Sequence, residues 1–381
     1  MSDSVLQFSH SKPLTLGVEL ELQLLDKTTL DLSPKSPLLF AALGGETSRI
    51  KAEIFQSMLE INTAVCQNAH EVRRDLSQTI STVQEICASL DLRVASAGTH
   101  PFAHYSDRIL YPADRYKSLI DRNQWIARRL MIFGLHVHIG MRDGEHAIQM
   151  NNALLHYLPI LLALSASSPY WNGEDTELAS SRITFFEAIP TGGHPCRIMS
   201  WGDFTDLYAK LIRSGAIRSP KDIWWDMRPS PGFGTLEIRI CDSPPTLAET
   251  VAITALIHSI AKYIDNQIVD GRKFAPPPDW IVRENKWRAS RWGTSAEFIV
   301  TNDGETDHMI KITSDLLDEL AEISSSMSYQ AEFDLIRQLL AKGPSYKRQQ
   351  AIASRNENNM VELTDFLASE FELRSPIWGS P

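Results

Sequence analysis

Apolar residues take every second position in three separate stretches of the chain. In Leu14–Leu24 (LTLGVELELQL), Leu16, Val18, Leu20, Leu22 and Leu24 alternate with Gly17, Glu19, Glu21 and Gln23. In LHVHIG the alternating polar residues are His136 and His138, and in TLEIRIC they are Glu237 and Arg239. A period of two predicts half-buried strands, because successive side chains point to opposite faces. Each strand then has one aliphatic face and one face that carries chemistry. Two carboxylates about 7 Å apart on one strand face repel, which points to a cation near them. If the three polar faces converge in one sheet, they form a site for a polyvalent cation with an arginine beside it for anions.

Helical periodicity predicts an amphipathic helix over His70 to Leu92, with Val72, Leu76, Ile80, Val83, Ile86 and Leu90 on one side. Further helices are predicted over Arg115 to Phe133, stopped by Gly134, over Glu145 to Ser167, over Asp203 to Ser214 and over Leu247 to Val269. A short strand, Leu92 to Ala97, should lead into a turn holding the polar pair Thr99 and His100. Lys51 to Val65 is ambiguous. A bent strand would bring Glu53 and Glu60 together, a helix would put them on one face, and the pattern alone favours two ordinary surface acids.

Ser167 to Pro195 is rich in Gly, Pro, Ser and Thr but interleaves Tyr170, Trp171, Phe185 and Phe186, which favours an ordered functional loop. Asp175 and Arg182 are its notable polar residues. The breaker Phe274–Pro278 (FAPPP) separates a sheet-and-helix core over 12–270 from a mainly helical part over 275–381. The second part is expected to pack on the first within a single catalytic domain.

Composition narrows the classes. A net charge of −10 argues against nonspecific binding to nucleic acid or to an anionic membrane. Cys66, Cys87, Cys196 and Cys241 are far apart and form no CxxC pair, and the first residues, MSDSVLQFSHSK, lack a signal-peptide pattern. A reduced, cytoplasmic setting is the expectation. The apolar run Ala153 to Ala166 is too short for a bilayer and reads as a buried helix.

Absent motifs prune the chemistry. The sequence has no GxxxxGK[ST] loop, no HExxH and no GxSxG, and Gly232-Phe233-Gly234 precedes a strand without a third glycine. Carboxylates with one or two imidazoles suit Mg²⁺ or Mn²⁺, and Mg²⁺ commonly binds together with substrate phosphates such as those of ATP. Two alternatives stand beside that reading. His136 and His138 could be simple hydrogen-bonded imidazoles, or they could open a metallohydrolase site. The hydrolase needs more His or Asp ligands on later strands, where the chain offers Glu237 and Arg239 instead.

The segments GVELEL, QSMLEINTAVC, GTHPF, FGLHVHIG, ALSASSPYWNGEDTELASSR and RPSPGFGTLEIRICDSP occur in this order between about Leu14 and His258. Together they closely resemble the carboxylate–amine ligase branch of the type 2 glutamate–cysteine ligases. The resemblance implies an α+β fold similar to glutamine synthetase, with a curved, mainly antiparallel sheet forming a funnel and helices behind it. It implies that ATP phosphorylates the γ-carboxylate of glutamate and that an amine, cysteine or another, attacks the acyl phosphate. Glu19, His136 and Glu237 would hold the metal nearest the ATP phosphates, and Glu21, Glu53 and Glu60 metal nearer the substrate. His138 and Arg228 would contact phosphate. Arg239 and Arg182 would stabilise the transferring phosphoryl group or the substrate carboxylate, Arg182 from a more mobile loop. Implied partners are small amino acid substrates, with no nucleic acid and no membrane, and a homodimer is left open. A non-catalytic nucleotide-binding relative is a third reading, against which the retained acids and histidines argue.

Overall fold

The computed structural model describes residues 6–378. Seven strands form its main sheet: β1 (Leu16–Asp26), β2 (Ile50–Ala52), β3 (Met58–Asn62), β4 (Leu92–Ala95), β5 (Gly134–Gly140), β6 (Met227–Ser230) and β7 (Thr235–Asp242). Every pairing is antiparallel, in the order β6-β7-β5-β1-β3-β2, with β4 also on β1. β1 is long enough to serve two partners along one edge. Leu16 to Leu20 pair with β5, and Gln23 to Asp26 pair with β4. The three strands predicted from alternation are therefore adjacent, as β7-β5-β1.

Their aliphatic residues face one way. Leu16, Val18, Leu20, Val137, Ile139, Leu236 and Ile238 lie in one buried cluster. The helices packed against these strands are α1 (Ala69–Ser89) on β1, α3 (Leu158–Ser165) on β7 and α5 (Leu247–Val269) on β5. Asn68 caps α1 by accepting from the Glu71 N–H, which satisfies one of the donors left open at a helix start. α5 is mostly apolar because most of it is core. Among the described residues it is the one single helix long and apolar enough to cross a membrane, and 83 % of its most apolar window is buried inside the protein.

Several predicted elements differ in detail. The run over Glu145 to Ser167 is two helices, α2 (Gly144–Leu154) and α3, bent by 67°. Pro159 near the start of α3 lacks an N–H and would clash with the carbonyl four residues back, so one continuous helix is excluded. The helix predicted over Arg115 to Phe133 covers only Asp114–Asn123, ending where Gln124 takes a positive φ of 48°. The long Ser/Gly/Pro segment contains a short helix, α4 (Arg182–Glu187), and its aromatics are packed, with the Trp171 and Phe185 rings 4.2 Å apart. Half-burial also holds only for β1. All residues of β5 and β7 are buried, on the polar face as well as the apolar one.

Beyond the proline breaker, α6 (Asp279–Trp292) packs on α3, α7 (Gln330–Lys342) on α5 and α8 (Met360–Leu373) on β4. Phe333, Leu339, Leu367 and Phe371 from this region join the same buried cluster as β1. The Tyr329 hydroxyl donates or accepts at two core positions, lying 2.8 Å from the Ala69 N–H and 2.9 Å from His258 Nδ1.

Candidate active site

Antiparallel pairing puts directly opposed residues on the same face. Across the polar face one row runs Arg228, Glu237, His138 and Gly17. The next runs His136, Glu19 and Asn62, and a third Glu21, Glu60 and Lys51. Ten residues that alternation scattered over the sequence thus form a compact grid. The register of β7 against β5 shifts between Ile238 and Cys241, so Arg239 and Ile240 lie in a bulge, a feature that re-aims side chains.

At the β6–β7 end the grid is an arginine clamp. Arg228 donates from Nε to Glu237 Oε2 at 2.9 Å and from Nη1 to the carbonyls of Lys221 (2.9 Å) and Ile223 (2.6 Å). Arg239 donates from Nη1 to Glu237 Oε1, and its guanidinium lies over Phe186 and Trp224. Burial pushes the Glu237 carboxyl up, but Arg228 and Arg239 outweigh it and hold it below the usual carboxylate range. Arg228 was expected to meet phosphate; here it is committed mainly to Glu237 and to backbone oxygens.

One row over, His136 Nδ1 is 3.3 Å from Glu19 Oε2, and His138 Nε2 is 3.6 Å from Glu19 Oε1 and 3.9 Å from Glu237 Oε2. Burial raises the Glu19 carboxyl, yet hydrogen bonds and charge from both histidines bring it well below the usual range. Burial, helped by Arg239, lowers His136 to about 4, so the ring is neutral near pH 7 and its nitrogen is free to act as a ligand. For His138 burial works downward too, but Glu237 and Glu19 win and raise it. Thr235 Oγ1 fixes its other nitrogen at 2.8 Å. Glu19, His136 and Glu237 each bring a ligand atom within 4.8 Å of the others. Two carboxylates and a neutral imidazole at that spacing fit Mg²⁺ or Mn²⁺.

The β3 end is different. Lys51 to Asn62 is neither a helix nor an ordinary surface segment but the β2–β3 hairpin, with Glu53 just past β2 and Glu60 opposite Glu21. Burial followed by repulsion from Glu60 and Glu21 drives the Glu53 carboxyl well above its usual value. Burial and Glu19 raise Glu60 against the pull of Lys51, whose Nζ is 3.3 Å away. Burial also raises Glu21, despite Arg182 and a 2.5 Å bond from the Gly134 N–H. Glu60 and Glu21 disfavour the charge on Glu53, but among the described residues these three acids do not converge as a ligand cluster in the way Glu19, His136 and Glu237 do.

Arg182 is not in a mobile loop. It is the first residue of α4 and 1 % exposed. Its Nη1 and Nη2 donate to the carbonyls of Ile240 and Arg239 in the bulge, each at 3.3 Å. A Cβ at Gly134 would stand 2.2 Å from Arg182 Nη2, so glycine there makes room for the guanidinium. Asp242, which sequence reasoning passed over, anchors the approach to α4. It accepts from the Ser167 N–H (2.9 Å), Ser168 Oγ (2.7 Å) and Ser180 Oγ (2.8 Å).

Other candidates fall away from the grid. Asp175 is exposed on a small hairpin with Tyr170–Trp171. His100 is buried and structural, bonding the Leu30 carbonyl at 3.0 Å and accepting from the Ala103 N–H at 3.0 Å. Burial pushes the Cys87 and Cys241 thiols up to about 12 and raises Cys66, so none of these three is an activated nucleophile.

Comparison with known proteins agrees with this architecture. A family profile described as "Glutamate-cysteine ligase family 2(GCS2)" matches residues 15–362. A protein of Bdellovibrio bacteriovorus named "Putative glutamate--cysteine ligase 2" is 48 % identical over 368 residues, covering 96 % of each chain. A relative of the same printed name from Thermobifida fusca is 40 % identical over 98 % of this chain and 95 % of its own. Among solved structures, glutamate–cysteine ligase from Francisella tularensis in complex with AMP superposes with a TM-score of 0.71 at 12 % identity, covering 98 % of this chain and 91 % of that one. A bifunctional glutathione synthetase from Pasteurella multocida gives 0.63 at 15 % identity, over 94 % of this chain and 51 % of that one.

Proposed function

The chain belongs to the glutamate–cysteine ligase family 2, and on that premise we propose that it is an ATP-dependent carboxylate–amine ligase. In this reading the γ-phosphoryl group of ATP passes to the γ-carboxylate of glutamate, giving ADP and an acyl phosphate. An amino group, that of cysteine or of another amine, then forms the amide bond and displaces phosphate. The observation that carries the reading is the convergence of Glu19, His136 and Glu237 beside Arg239 on one sheet face. A likeness in fold to a ligase solved with AMP supports a nucleotide as one ligand.

The protein's own groups have distinct tasks. Arg239 is held by a strand and by Glu237, so its guanidinium is in place before charge develops on the transferring group, which is where fixed donors contribute most. Glu237 orients both Arg239 and Arg228. His138 is raised by the acids around it and is held in place through Thr235. Arg182 fixes the backbone of the bulge from behind. Mg²⁺ or Mn²⁺ held by Glu19, His136 and Glu237, and a second ion by Glu21, Glu53 and Glu60, would supply the countercharge for the ATP phosphates.

The test is a phosphate-release screen of the purified protein with ATP and Mg²⁺ or Mn²⁺, crossing glutamate and other acids with cysteine and other amines. Release that requires both an acid and an amine supports the ligase. Cleavage of an ester or amide without ATP would make the protein a hydrolase, and ATP binding without turnover on any pair would make it a binding relative.

A further inference from the structure

The polar C-terminal part sends one charged side chain under the arginine clamp. Lys286, on α6, is 3 % exposed, and its Nζ lies 2.5 Å from Asp226 Oδ2 and also pairs with Glu187 Oε1. Both partners have structural leverage on the grid. Asp226 is fully buried, one residue ahead of β6, and its carbonyl accepts the Arg239 N–H at 2.8 Å, the bond that seats the bulge residue. Glu187 ends the helix that Arg182 begins. One ammonium therefore bridges the helix that Arg182 begins and the segment leading into β6, where Asp226 stands two residues before Arg228 and its carbonyl holds the Arg239 N–H. The same helix also fixes the approach to Arg182. The Ser290 carbonyl accepts the N–H groups of Ala179 (2.8 Å) and Ser180 (3.0 Å), and Ser290 Oγ donates to the Ser180 carbonyl at 2.7 Å.

A buried ion pair is weak evidence of stabilisation, because desolvation offsets much of its attraction. Geometry is the better account of this one. Resting on the ligase reading above, we propose that Lys286 is a positioning residue for phosphoryl transfer, setting the place of Arg239 and Arg182 through Asp226 and Glu187. Misplacement of about 1 Å by a change remote from the chemistry is enough to cost on the order of 10²-fold in rate.

The test uses the neutral pair D226N/K286M, which leaves no unpaired buried charge, alone and combined with R239K. Glutamate, cysteine and MgATP are the probes for kinetics, and ¹⁵N NMR of the arginine Nε–H groups gives a readout that needs no turnover. The expectation is a kcat lower by about 10²-fold, with KM for ATP changed by less than about threefold. The Arg239 Nε–H resonance, identified by its loss in R239K, should move. In the R239K background the neutral pair should lower kcat little further, because both act through one group. Near wild-type kcat with an unmoved resonance, or fully multiplicative losses, would overturn the proposal. Should the neutral pair fail to fold, E187Q replaces it, and an unchanged kcat and resonance there would overturn it equally. Severe loss in R239K with unaffected Lys286 variants would leave the ligase reading standing and sink this inference alone. Wild-type kcat in R239K would sink the assignment of Arg239 as well.

Discussion

Glu237 and Glu60 lie on one face of one sheet, and burial pushes the carboxyl of each upward. They nevertheless end on opposite sides of the ordinary carboxylate value. Glu237 sits between Arg228 and Arg239, cations that the fold itself supplies and desolvates. Glu60 has Glu19 and Glu53 within electrostatic reach, and the half-exposed Lys51, Arg115 and a hydrogen bond from Asn62 do not offset burial and that repulsion. Burial alone therefore does not decide how a carboxylate behaves; the sign of its nearest fixed neighbours does. At the β7 end countercharge is built in. At the β3 end it is in deficit, which is the condition that favours a cation from solution.

The sharpest way to break this contrast is to neutralise one acid at each end. Glu237→Gln strips the partner from two buried arginines, and breaking a buried pair in this way costs on the order of 3 kcal/mol. Because Arg228 and Arg239 flank it, neutralising Glu237 removes attraction rather than repulsion. Glu53→Gln does relieve repulsion and should raise the metal-free melting temperature by about 2 °C. Thermal melts of both variants check the pair. A rise for Glu237→Gln would mean that the arginines do not dominate its surroundings.

A smaller effect separates two accounts of Arg182. Lysine lacks the guanidinium fork that serves the Ile240 and Arg239 carbonyls together, and a buried acceptor left without a partner costs about 2 kcal/mol. Arg182→Lys should thus lower the melt and kcat together, with KM for the acid substrate little changed. An unchanged melt with a raised KM would restore Arg182 as a mobile substrate ligand.

The sequence carried the faces of the sheet but not its neighbours. Alternation is local, so the apolar sides of β1, β5 and β7 and the acids and histidines opposite them were legible before any pairing was known. Which polar residues meet depends on register. The Arg228–Glu237 opposition is set by the register of the β6–β7 hairpin, and the bulge at Arg239 and the Glu21–Glu60 row arise from contacts between segments far apart in the chain; no period records any of them. Glu53 and Glu60 were ambiguous because a spacing of seven suits a helix face as well as a bent strand. Arg182 read as loop because Ser, Gly and Pro surround it, and α4 is too short to show a period. Lys286 gave no signal: a lysine on a polar helix is ordinarily solvated, and only the packing of α6 against the core buries it.

The smallest and most specific test is the pH dependence of the difference between the two ends. A glutamate in the unfolded chain titrates near about 4.3. The Glu53 carboxyl is raised in the folded protein, so its contribution to stability is full below about pH 4.3 and is lost as pH rises through the raised folded value. Glu237 is lowered, so its contribution is present above about pH 4.3 and is lost only as pH falls through the folded value. His136, lowered to about 4, adds an opposing slope below about pH 6.5, where the unfolded ring takes up a proton that the folded one refuses. Absolute melting curves mix these slopes, but differences between variants isolate them. The advantage of Glu53→Gln over wild type should be near zero at about pH 4.5, where the wild-type carboxyl is protonated in the fold, and should grow towards about pH 8. The deficit of Glu237→Gln should be larger towards about pH 6 and shrink towards about pH 8, because Glu237 is ionised throughout while the His138 proton that it stabilises is lost as pH rises. Saturating Mn²⁺ should shrink the Glu53→Gln advantage at the upper end, since a bound cation offsets the repulsion that the substitution removes. A Glu53→Gln difference independent of pH would mean that Glu53 titrates normally, and the charge deficit at the β3 end would have to rest on Glu21 and Glu60 alone.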